Sequence, residues 1–302
     1  MNKKVLKNII KWLWVIAILG FIIFYAVNKK NLITQTFSML PIDFLLVAAA
    51  LIFAGKLCLV TNMSAAARHF SIPIGWRDCY YIYNLTQLAK YIPGSIWQFV
   101  GRFSILSDRG IEKYTIRNSI ITEHLWILLS ASILAAMLSL TTILGFFEAK
   151  FSNYNQEHIY TWGLATLFLT LSIAIFYLFC NWRLASRVLR IIPPLSIIPI
   201  LALTWILLGA SLWVTIEPFV VTKPSILYVI GMYCFGYVMG FIAPFAPAGI
   251  GIREAVLTFS LTPFMDIDVA ILLSAVNRVI YFVVEILLAI SCLYKTKGTI
   301  NE

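Results

Sequence analysis

Seven apolar runs, each long enough as a helix to cross a hydrocarbon layer, recur along this chain near residues 9–27, 43–67, 116–145, 159–181, 196–216, 224–242 and 269–293. About 20 helical residues at roughly 1.5 Å each span the core of a bilayer. A shorter run, 249–264, carries charge near its start, and counting it gives about eight spans. Within 302 residues these runs leave no stretch long enough for a separate soluble unit. The chain therefore reads as one all-α polytopic membrane domain, 1–302. Composition agrees, since 61 % hydrophobic and 12 % charged residues cannot make a water-facing surface.

The charged minority is lopsided: 23 Lys plus Arg stand against 13 Asp plus Glu, a formal +10. A nucleic-acid groove would need a soluble face, so no nucleic-acid partner is expected. Orientation is the better account. With the N-terminus inside, Lys3, Lys4, Lys7, Lys11, Arg68, Arg77, Arg102, Arg109, Lys113, Arg117, Arg183, Arg187, Arg190, Lys295 and Lys297 fall on the cytoplasmic side. Only Lys29, Lys30, Lys150 and Lys223 fall outside, which places both termini in the cytoplasm. The basic start and the apolar run to Val27 resemble a signal peptide but lack a small-x-small cleavage site, so they read as an uncleaved first span.

Two interruptions break the pattern. Residues 78–92 are rich in Tyr, Asn and Gln and end at Pro93-Gly94, after which Ser95–Leu106 resumes an apolar helical pattern. A Pro-Gly break between two short helices, flanked by basic residues, predicts a re-entrant hairpin over 78–107 entering from the cytoplasm. The second interruption runs from Ala243 to Gly251, with Pro247, Gly249 and Gly251 as its backbone breakers. Paired Gly/Pro breaks at corresponding positions point to a site between transporter repeats. The halves would be 1–182 and 183–302, and span parity makes them parallel.

Eight ionisable residues fall inside apolar windows or at these breaks: Lys56, Lys90, Arg102, Glu123, Arg253, Glu254, Arg278 and Glu285. Each costs about 2.5–3.5 kcal/mol alone at mid-bilayer, so they should face one another or a cavity. Five cations against three carboxylates leave a positive surplus suited to a phosphate, whose oxygens Arg meets with planar donors. Lys90, Arg102, Arg253 and Arg278 are the candidate phosphate contacts. Glu123, Glu254 and Glu285 would balance them, Glu123 meeting Arg278 or Arg253. Pro93, Gly94, Pro247, Gly249 and Gly251 would serve as hinges, and a helix starting after Gly251 would turn its N–H groups toward an anion.

Other chemistry is weakly signalled. Cys58, Cys79, Cys180, Cys234 and Cys292 are scattered without a Cys-x-x-Cys pair, so neither a disulfide framework nor a metal site is expected. Asp266-Ile267-Asp268 has the form of a metal-dependent transferase motif, but helix capping explains it better. No nucleophilic triad, zinc pair or nucleotide loop is present, and no cofactor or enzymatic activity is expected. Trp12, Trp14, Trp76, Trp126 and Trp182 read as interface anchors.

Two segments carry a family resemblance. Lys90-Tyr91-Ile92-Pro93-Gly94-Ser95-Ile96-Trp97 with Gly101-Arg102, and Ala246-Pro247-Ala248-Gly249-Ile250-Gly251-Ile252-Arg253-Glu254-Ala255, resemble the paired signatures of the lysylphosphatidylglycerol synthase transmembrane-region family. Glu123 and the Arg278-to-Glu285 spacing are similar too, so the resemblance covers about 75–295. It implies a flippase-like protein of a bacterial or archaeal cytoplasmic membrane, acting on a phospholipid or a polyprenyl-phosphate-linked glycan. The alternative it leaves is a non-transporting scaffold for a glycan or lipid biosynthesis enzyme. Ala248 stands where the family commonly has Gly, and Ser95 where it commonly has a basic residue. The soluble aminoacyl-transferase domain of the family's large members has no counterpart in these residues.

Overall fold

The computed structural model describes residues 14, 16, 17, 20, 21, 23–25, 27–92, 96–150, 192–220, 223–243 and 246–298, with side chains of the two longest helices followed to Leu138 and Leu293. Every regular element among them is helical: α1 (Lys30–Met39), α2 (Ile42–His69), α3 (Trp76–Gln87), α4 (Trp97–Asp108), α5 (Lys113–Lys150), α6 (Ile198–Ile216), α7 (Ile226–Ile242), α8 (Ile252–Leu261) and α9 (Ile267–Gly298). Short 3-10 turns cover Leu88–Tyr91 and Pro247–Gly249. Four helical stretches, Ile42–His69, Lys113–Leu138, Leu195–Phe219 and Ile267–Leu293, are long and apolar enough to cross a bilayer. The described residues are all-helical, and helices of this length and hydropathy mark an integral membrane protein. The windows 43–67, 116–145, 196–216 and 269–293 coincide with these helices; 159–181 and most of 9–27 lie outside the described residues.

The run 249–264 is not a span of its own. It holds the ten-residue α8, about 15 Å long and half of what crossing requires. It is the returning arm of a helical hairpin with α7, whose base is closed by the Tyr228 hydroxyl donating to the Ser260 carbonyl at 2.9 Å. The expected hairpin at 78–107 is present as α3 and α4, its base tied by Arg109 donating to Asp78 at 2.8 Å. Pro93 and Gly94 lie outside the described residues.

Helix α9 serves as a ruler between the two hairpins. Tyr80, near the base of the first, bonds Ser291 near the end of α9 at 2.8 Å. The base of the second is joined to the start of α9 through the short link from Leu261 to Ile267. The hairpins therefore enter from opposite ends, and their turns, Leu88–Tyr91 and Pro247–Gly249, touch. Span parity predicted parallel halves. The two hairpins run in opposed senses, while the halves as wholes include residues outside those described.

The core is built on the contact of α2 with α6, which run in opposite directions, since each ends at the base of a different hairpin. Gly55 of α2 lies under Leu208 of α6, where an added Cβ would come within 2.9 Å of the Leu208 side chain. Ile52, Leu59, Trp205, Leu208, Tyr233 and Leu273 are buried around this seam. Small residues let such helices approach closely, which in lipid replaces the hydrophobic drive available in water. Asn277 of α9 adds polar glue, donating to Ser211 at 3.2 Å and Thr215 at 3.3 Å on α6. Trp126 is 1 % exposed and belongs to this core rather than to an interface, packed edge-on against His69. Trp12 and Trp182 lie outside the described residues. Asp266 caps α9, its carboxylate accepting the Asp268 N–H at 2.8 Å.

Candidate functional site

Where the two hairpin turns meet, most of the predicted charges converge. Arg278, Tyr281 and Glu285 stand at i, i+3 and i+7 on α9, one face over two turns, and all three point to the turns. Lys90, in the 3-10 turn of the first hairpin, donates to Glu285 Oε1 at 2.5 Å, and Lys56 of α2 donates to the same oxygen at 2.6 Å. The Tyr91 hydroxyl donates to Glu285 Oε2 at 2.8 Å. Two ammonium groups thus share one buried carboxylate. Such a cluster survives in a low-dielectric interior only while each member keeps its partner.

The second hairpin supplies the rest. After Gly251 the helix α8 begins, and Glu254 turns back so that Oε2 accepts the Gly251 N–H at 2.7 Å. The expected free N–H groups at this helix start are therefore partly satisfied from within. Glu254 Oε1 lies 3.5 Å from Arg278 Nε, close enough to attract but not aligned to hydrogen-bond. Arg278 instead donates through Nη2 to the Ala248 carbonyl at 2.6 Å. Ala248 holds φ 51°, a left-handed conformation costing a non-glycine residue about 1–2 kcal/mol. Gly249, at φ +71°, passes so near α7 that an added Cβ would lie 2.8 Å from Gly240 Cα. Gly251, at φ +88°, turns the chain into α8. Pro247 and Gly249 are buried, so the break is packed into the interior. The indole of Trp14 donates to the Ile250 carbonyl at 3.1 Å from outside the hairpin.

Arg253, the second residue of α8, is 6 % exposed and has no carboxylate partner among the described residues. Its guanidinium lies 4.1 Å from the Tyr233 ring centre and 5.6 Å from that of Tyr281. Lys56, Lys90 and Arg278 lie 5.2, 5.0 and 5.6 Å from the same Tyr281 ring. Four cations gather around one aromatic ring, each attracted by its quadrupole. Glu285 and Glu254 are the two carboxylates among them, so the cluster carries a formal surplus of +2.

Arg102 and Glu123 stand apart. Arg102 donates through Nη1 to both oxygens of Glu123, at 2.9 and 2.8 Å, with Gln87 and Thr86 each at 3.4 Å on its remaining nitrogens. Arg102 also lies over Tyr83 at 4.6 Å. Both partners are about 2 % exposed or less. The expected meeting of Glu123 with Arg278 or Arg253 does not occur. α4 lies beside α5 within the first hairpin's own neighbourhood, and Arg102 reaches Glu123 first. His124, the next residue, bonds through Nδ1 to the Ile120 carbonyl at 2.8 Å and packs edge-on to Phe99 at 4.7 Å.

The aromatic platform was not anticipated in the sequence, although Tyr281 stands three residues after Arg278 and four before Glu285 on one face. Lys56 was counted among the intramembrane charges but not among the site residues; its position gives no sign that Glu285 lies across from it. Cys58, Cys79, Cys234 and Cys292 are unpaired. No family model and no curated protein matches the chain.

Proposed function

We propose that the chain is a flippase-like translocase that moves a phospholipid, or a polyprenyl-phosphate-linked glycan, between leaflets of a cytoplasmic membrane with both termini in the cytoplasm. The observation that carries this reading is the surplus of buried cations around Tyr281, set where two broken hairpins meet from opposite ends. Arg253, with no carboxylate among the described residues, and Arg278, held by the Ala248 carbonyl and only weakly by Glu254, leave positive charge for an anion, and a phosphodiester is the anion a membrane offers. Lys56 and Lys90 are neutralised in part by Glu285 and set the positive field. Glu254 gives up its weak contact to Arg278 when phosphate arrives. Pro247, Gly249 and Gly251 supply backbone that can re-pack as access alternates. The opposed hairpins fit an internal duplication of inverted sense.

A second reading, a non-transporting scaffold of a glycan or lipid biosynthesis enzyme, is favoured by one observation: Arg102 and Glu123 close on each other and leave nothing for a ligand. In the proposed translocase this pair is structural. The test is transfer of fluorescent phosphatidylglycerol across proteoliposomes. Transfer well above that of protein-free vesicles, reduced in Arg253→Ala at unchanged thermal midpoint, is expected. Transfer equal to that of protein-free vesicles for each lipid class tried would favour the scaffold.

A further inference from the structure

A cavity of about 610 Å³ opens on the flank of the molecule, away from the Tyr281 cluster. Phe99, Val100 and Phe103 of α4, Ile121 and Leu125 of α5, and Phe241 at the end of α7 form its walls. Its volume lies inside the roughly 300–1,000 Å³ of small-molecule sites. Its surface is almost wholly apolar, and Arg117 and His124 are the two ionisable residues along it. Arg117 sits exposed at the end nearest the first hairpin's base, and His124 lies deeper, its Nδ1 bonded to the Ile120 carbonyl and its ring edge-on to Phe99 at 4.7 Å.

We propose that this groove seats one acyl chain of an anionic phospholipid from the leaflet at the first hairpin's base, with the lipid phosphate at Arg117. Length and charge together select that occupant. Arg117 and Leu128 both line the groove, and their separation along α5 is about 16 Å. One leaflet's share of the hydrocarbon core is about 15 Å. An apolar channel one leaflet deep, with a cation at its interfacial end, matches a lipid tail joined to a phosphate. Arg117 keeps donors for that phosphate, since its recorded side-chain bond is a single 3.3 Å contact to Asn118 Oδ1, and Tyr114 supports its guanidinium at 4.5 Å. The site is distinct from the charge cluster and holds whether or not the protein transports lipid.

The test is native mass spectrometry of the full chain purified from membranes and exchanged against a mixture of phosphatidylglycerol and phosphatidylcholine. The wild type is expected to retain one phosphatidylglycerol. Leu125→Trp, which fills the groove, should lower retention about tenfold, and Arg117→Gln should abolish the preference for phosphatidylglycerol while leaving a lipid bound. Val100→Trp, at a half-exposed position on the opposite wall, reads the same effect if Leu125→Trp does not fold. Equal retention in wild type and the filled groove, equal preference in Arg117→Gln, or a lipid-free dimer through this face would each overturn the proposal. Loss of transfer in the assay for the Tyr281 cluster, with retention here intact, would leave it standing.

Discussion

The two hairpins share a plan and differ in how their arginines are matched. Each has two arms and a base closed by a side-chain hydrogen bond, and each carries one buried arginine on its returning arm. Arg102 in the first is held by both oxygens of Glu123, with Thr86 and Gln87 on its flanks. Arg253 in the second lies on Tyr233 with no carboxylate among the described residues. A matched buried arginine fixes a fold, whereas an unmatched one keeps binding capacity for something else. Under the proposed function, the Arg102–Glu123 pair of the first hairpin is structural and Arg253 of the second is the contact for the ligand.

The largest effect that could break this contrast comes from Glu285. Glu285→Gln leaves Lys56 and Lys90 without a carboxylate, and orphaning buried charge costs about 3–5 kcal/mol. Most of the folded protein should be lost, read as a collapsed thermal midpoint in detergent; a midpoint near wild type would mean the two lysines have other partners. Next comes Gly249→Ala, which puts a Cβ against the Gly240 backbone at φ +71° and should cost about 1–3 kcal/mol. The same thermal scan checks it, and an unchanged midpoint would show that the break is loose. Ala248→Gly works in the opposite direction. It relieves about 1–2 kcal/mol of left-handed strain against about 0.4–1 kcal/mol of added unfolded-chain entropy, so a small gain in midpoint is expected.

The smallest effect is a pH dependence at the base of the first hairpin. Arg109 beside Asp78 holds that carboxyl below the ordinary carboxylate range. A carboxyl lowered in the folded state contributes stability at neutral pH and loses it as pH falls below about 4. Both side chains are over two-fifths exposed, so screening keeps the contribution under about 1 kcal/mol. Asp78→Asn should flatten the acid limb of the midpoint-against-pH curve slightly, and an unaltered limb would show that Arg109 adds nothing.

Much of this was legible in the sequence because hydropathy and backbone breakers are local signals. The four long helices follow from apolar length, the first hairpin from Tyr91 and its neighbours ending at a Pro-Gly pair, and the second break from Pro247, Gly249 and Gly251. The gathering of Lys90, Arg253, Glu254, Arg278 and Glu285 follows from the cost of leaving charge in hydrocarbon. Pairing was not legible, because it depends on which helices meet. The sequence points Glu123 to Arg278 or Arg253, yet Arg102 takes it, and Lys56 reaches Glu285 across a contact that neither residue's neighbours announce. Ala248 shows the same limit: its left-handed φ explains why glycine suits that place, but only the folded turn shows the strain.

The contrast between the two arginines is tested most directly by lipid transfer in proteoliposomes with two variants side by side. Arg102→Met with Glu123→Leu removes a closed pair as a unit, a change often neutral or stabilising for buried pairs. Arg253→Gln removes the spare cation. Transfer is expected to persist in the double variant and to fall about tenfold in Arg253→Gln, the loss of roughly one charged contact. Transfer lost with the closed pair and retained without Arg253 would contradict the assignment of scaffold and ligand.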